Sequence, residues 1–183
     1  MFHKTFAATA SAALLAGAAF AQDVPMVGGA PMYPSMNIVE NAVNSADHTT
    51  LVAAVQTAEL VDVLAGEGPF TVFAPTNDAF AALPEGSVEA LLQPANRERL
   101  VEVLTCHVVA AEAFSDAIAG MIADDGGAHP VETVGGCTFT ARMSGGMITI
   151  EDEQGRTATV TQADVDQSNG VIHVIDTVLL PDA

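Results

Sequence analysis

The chain of 183 residues carries 23 acidic and 5 basic residues, a net charge of −18 at pH 7, and half of its residues are apolar. That length suits one domain with a core of its own, and the apolar half excludes a disordered acidic tail. So negative a field repels phosphate backbones and anionic membrane surfaces, which excludes nucleic acid as a partner and marks the charge as a solubility device.

Residues 1–21 read as a secretory signal peptide. His3 and Lys4 precede an alanine-rich apolar run to Phe20, and Ala19-Phe20-Ala21 is a small-x-small cleavage site. The run is too short to span a bilayer, and no cysteine follows it to carry a lipid anchor. Removing it leaves 23 acidic against 4 basic residues, a charge of −19, and no lysine. The expected location is periplasmic or extracellular, with no membrane insertion of the mature chain. Residues 22–34 are rich in Met, Pro and Gly without a helical or strand period, so a flexible lead-in is expected. Met26, Met32 and Met36 are soft enough for copper(I), but no His-Met or Cys-Met cluster completes a site, so they read as an apolar strap.

Ile38, Val39, Ala42 and Val43 share one helical face. Asp47 or Thr49 can cap a second helix with Leu51, Val52 and Val55, and a third carries Leu60, Val61 and Leu64 before Gly66. Three apolar stripes need a sheet to cover. Phe70 to Phe73 alternates as a half-buried strand that Pro75 stops. Thr76 or Asn77 can cap the next short helix, with Asp78 at its amino end and Phe80 and Leu83 facing back onto the strand. Ser87 and Asn96 are the expected caps of two further helices. The second carries Leu100, Val103, Leu104 and His107, and Val108 and Val109 lead out of it. A helix from Ser115 to Ala123 follows. The period then changes to two: strands are expected at 131–134, 137–143, 147–150, 157–161 and 171–175, with 177–180 continuing the last. Helices first and strands last, with one early strand, define an α+β chain.

Phe70 to Pro84, FTVFAPTNDAFAALP, and Gly170 to Pro181, GVIHVIDTVLLP, resemble the two signature segments of the fasciclin (FAS1) family, and the resemblance spans 35–181. It implies a β-sandwich or wedge with short helices packed along one side; the residues themselves offer no catalytic set, so no enzyme activity is expected. It also implies an adhesion or interaction role toward a cell-surface protein or polysaccharide. The alternative is a carrier of a small apolar ligand, because some algal members bind carotenoids and the Ala- and Val-rich helices here can leave a groove open. The family motif positions Asn77, Asp78, His107 and His173 are the candidate binding residues. Where the family usually reads Tyr-His, this chain has Cys106 before His107, which weakens transfer of the adhesion role.

Cys106 and Cys137 are the only cysteines, and an even pair in an exported chain favours a disulfide over two buried thiols. His48, His107, His129 and His173 lack the spacing of a zinc helix, and His107 and His173 read as core residues with both ring nitrogens satisfied. Asp164 to Gly170 imitates a calcium loop, but Asn169 and Ile175 stand where glycine and the closing carboxylate belong, so it reads as a polar turn. No nucleophile elbow or phosphate loop occurs, and Asp124-Asp125 and Asp152-Glu153 read as solvated loop pairs. No cofactor or metal is expected.

Overall fold

The computed structural model describes residues 24–182; the segment read as a signal peptide, residues 1–21, lies outside them. The helices are α1 (Ile38–Ala42), α2 (Thr49–Thr57), α3 (Val61–Leu64), α4 (Asn77–Ala81), α5 (Ser87–Leu91), α6 (Arg97–Thr105) and α7 (Ser115–Asp124). The strands are β1 (Met26–Val27), β2 (Ala30–Pro31), β3 (Phe70–Pro75), β4 (Val108–Val109), β5 (His129–Glu132), β6 (Thr138–Ser144), β7 (Met147–Glu151), β8 (Thr157–Gln167) and β9 (Gly170–Ile175). Seven strands form one sheet in the order β4-β3-β9-β8-β7-β6-β5, antiparallel except for the parallel pair β3–β9. The α+β expectation holds.

The sheet carries two cores. Val72 and Ala74 of β3, with Ile172 and Val174 of β9, face α1, α2, α4 and α6. Phe73 and Ile175 point the other way, into a core closed by Ile118 and Ile122 of α7 and by Phe139, Ile148 and Ile150. β3 is therefore not half-buried: every residue from Thr71 to Pro75 is buried, because elements cover both faces. Thr71 is the polar exception, its hydroxyl donating to Ala111 O at 2.6 Å and accepting from Ala113 N at 2.9 Å. Gly170 opens β9 where any Cβ would stand 2.0 Å from Phe70 O, so the parallel pairing needs glycine there.

Several local expectations are corrected. β8 does not end at Thr161 but runs through the supposed polar turn to Gln167, with irregular register between Val160 and Val165. Bulges of this kind let one strand bend and serve both halves of a sheet. Asp164 sits at φ 59°, and its carboxylate accepts from Ser115 N at 2.6 Å and from the Ser115 hydroxyl, which places a charge at the amino end of α7. Residues 177–180 form no strand. Ser87 caps nothing, since Gly86 precedes α5; Asn96 does stand at the N-cap of α6, but its side chain makes no cap bond and its amide donates to Ala90 O instead. Neither Asp47 nor Thr49 caps α2; the acceptor for Thr50 N is Asn77 Oδ1, at 3.0 Å.

The lead-in also differs from a flexible strap. β1 and β2 form a hairpin closed by Gly28-Gly29, both at positive φ, and Val27 and Met32 are buried in the first core. Gly28 fits against the turn that follows α1, where a Cβ would lie 2.4 Å from Ser45 Oγ. Asn41, fully buried, holds Tyr33 by both backbone atoms, at 3.0 and 2.8 Å, and also binds Gln167 Oε1.

Candidate functional site

The four candidate binding residues have no hydrogen-bond partner in common. Asn77 Oδ1 accepts from Thr50 N and from the Thr49 hydroxyl, while its amide donates to Ala46 O at 2.8 Å, so it joins α4 to the start of α2. Asp78 is exposed in the first turn of α4, whose cap is Thr76. His107 is buried; its Nδ1–H donates to Val103 O at 2.7 Å and its Nε2 accepts from Leu179 N at 2.9 Å. His173 is fully buried, its Nε2–H donating to Ala113 O at 2.8 Å and its Nδ1 accepting from Asp164 N at 3.3 Å, with the ring stacked on Phe73. Each ring must therefore stay neutral, since a backbone N–H needs its second nitrogen as acceptor. Burial pushes both pKa values down, that of His107 to about 4.

Cys106 and Cys137 are bridged, with Cα atoms 5.5 Å apart, and tie the end of α6 to the start of β6. Gly135 lies against this bridge, where a Cβ would stand 2.8 Å from Cys106 Sγ. Asp152 is no solvated loop acid. Its side chain is buried and accepts from Arg156 Nη2 at 2.7 Å, from the backbone of Gln154 and Arg156, and from Leu180 N at 3.0 Å. Arg156 Nη2 also reaches Val178 O, so the pair fastens residues 178–180 to the β7–β8 turn. Among the described residues no group of three or more His, Cys, Asp or Glu side chains could hold a metal.

What the molecule leaves open is apolar. A cleft of about 230 Å³ lies between α1, α2 and α3 on one side and β3, β4 and the end of α6 on the other. Val39, Ala42, Val55, Val61, Phe70 and Val108 stand in its walls. Three of the large apolar side chains exposed at the surface, Val43, Val63 and Val134, also border it. Its polar members are few. Thr105 is turned to Val101 O, His107 is used as described, and Gln56 is exposed. A smaller void beneath the β1–β2 hairpin shares Ile38, Ala42, Leu51 and Val72 with it. The sequence signal for this cleft was the set of apolar stripes on the first three helices; how far they close on the sheet is decided by packing.

Residues 46–181 match the fasciclin domain model, and the chain belongs to the fasciclin family. It is 48% identical over 147 residues to protein sll1483 of Synechocystis, covering 80% of this chain and 74% of that one. It is 33% identical over 137 residues to human periostin, covering 75% of this chain and 15% of periostin. A FAS1 domain pair from the insect cell adhesion molecule fasciclin I matches 77% of this chain and 43% of its own, with a TM-score of 0.48 and 25% identity. No helix among the described residues is long and apolar enough to cross a membrane.

Proposed function

We propose that this domain is an exported, non-enzymatic binding module whose binding element is the apolar cleft, and that its occupant is a small apolar ligand. The observation that carries this reading is a walled, almost wholly aliphatic cleft on a chain with a net charge of −18. Apolar area left open to water is costly unless something covers it. Concave apolar sites of this kind are the usual seats of small ligands, and at about 230 Å³ this one suits a hydrocarbon chain or a single ring rather than a large polycycle. The disulfide fits an oxidising compartment, in keeping with the leader-like amino end.

A second reading, recognition of a cell-surface protein or polysaccharide, is favoured by membership of the fasciclin family and by Val43, Val63 and Val134 at the cleft mouth, which offer seats for a partner's apolar side chains. The two readings separate in a titration with N-phenyl-1-naphthylamine, a neutral dye that brightens in apolar surroundings. Wild type is expected to bind one dye per chain. Ala42→Phe places a ring in the cleft and is expected to abolish binding without lowering the melting temperature. Equal binding by wild type and Ala42→Phe would refute the cleft as the site.

A further inference from the structure

The cleft has no cation with which to hold an anionic head group. None of its lining residues is cationic; of the polar ones, Thr105 and His107 already donate to backbone carbonyls at 2.7 Å, which leaves the exposed, neutral Gln56 amide. His107 cannot turn cationic at neutral pH, because its Nε2 is the acceptor for Leu179 N. All four arginines are paired: Arg97 with Glu59, Arg99 with Glu102, Arg142 with Glu151 and Arg156 with Asp152. The mature chain has no lysine with which to make good the lack. The acids nearest in sequence, Asp62 and Glu40, are exposed on the helix faces turned away from the lining residues Val61, Val63 and Val39, so the repulsion of an anion comes from the overall charge of −18. A carboxylate or phosphate at the mouth would meet like charge in a field already strongly negative.

We propose that the cleft takes uncharged hydrocarbon ligands, such as a long-chain alcohol or alkene, and rejects the same chain when it ends in a carboxylate or phosphate. This rests on the reading of the cleft as a ligand site and adds the charge class of the ligand. It also separates the protein from carriers of fatty acids and phospholipids, which need a cation or a donor cluster at the head group.

The test is displacement of bound N-phenyl-1-naphthylamine from the full mature chain at pH 8 and low salt, with 1-dodecanol and dodecanoate as competitors. Dodecanol is expected to displace the dye at a concentration at least about tenfold lower, the scale of a few weakly screened like-charge contacts. The gap should narrow in high salt and in Gln56→Lys, which adds a cation to the exposed edge of the cleft. Equal potency of the two competitors would overturn the charge selectivity while leaving the cleft a ligand site. A gap that neither salt nor Gln56→Lys alters would overturn the electrostatic cause. Failure of the dye and both competitors to bind would overturn the ligand-site reading itself.

Discussion

His107 gives the sharpest test of how the family motif works in this chain. Desolvation lowers its pKa in the folded state from 6.5 to about 4; the nearby Arg156 charge also lowers it, while the bond to Val103 O and the Asp152 carboxylate oppose the shift. A histidine whose folded pKa is depressed contributes stability that is fully present above pH 6.5. That contribution is lost as pH falls from 6.5 toward 4, because the unfolded chain takes up the proton first. One pKa unit corresponds to about 1.4 kcal/mol, so the loss between pH 7 and pH 5 is about 2 kcal/mol from this residue. Other groups titrate in the same range, so the useful quantity is a difference between two proteins. His107→Asn keeps a donor for Val103 O but leaves the buried Leu179 N–H without an acceptor, a cost of roughly 1–3 kcal/mol at pH 7. Urea unfolding of both proteins at pH 7 and pH 5 should show the stability gap shrinking by about 2 kcal/mol at the lower pH. A gap of the same size at both pH values would refute the argument that His107 is a neutral structural pin.

Other consequences follow from single contacts. Asp152→Asn should cost about 3 kcal/mol in urea unfolding, because it leaves Arg156 uncompensated and turns an amide toward Leu180 N–H; a loss under 1 kcal/mol would contradict the fastening role. Met32→Ala should cost about 3 kcal/mol, since Met32 is 2% exposed in the core. An unchanged midpoint would mean that the hairpin only decorates the domain. Thiol titration of the denatured, unreduced protein should find no free thiol, and reduction should remove about 4 kcal/mol for a bridge spanning 31 positions.

The sequence carries the helix stripes, the early strand and the two long motifs openly, because those signals are local periodicities and contiguous residues. What escaped it is long-range and polar. Asn77 looks like a cap for its own helix, yet Thr76 takes that place and Asn77 serves α2, 27 positions earlier in the chain. Asp164 and Asp166 make the end of β8 read as a turn, although Asp164 is a kink in a continuous strand that caps α7. Asp152 looks solvated until Arg156 four positions on and the chain terminus fold over it. The cleft stands between these cases: its walls are visible as apolar stripes, but a gap between packed elements has no sequence period.

The proposed function depends on that cleft being a ligand site. Native mass spectrometry of the protein, purified from its own source and also after incubation with 1-dodecanol, tests this directly. One neutral apolar molecule bound per chain in wild type, and none in Ala42→Phe, is the predicted result. A bare mass for wild type both as purified and after incubation would contradict it.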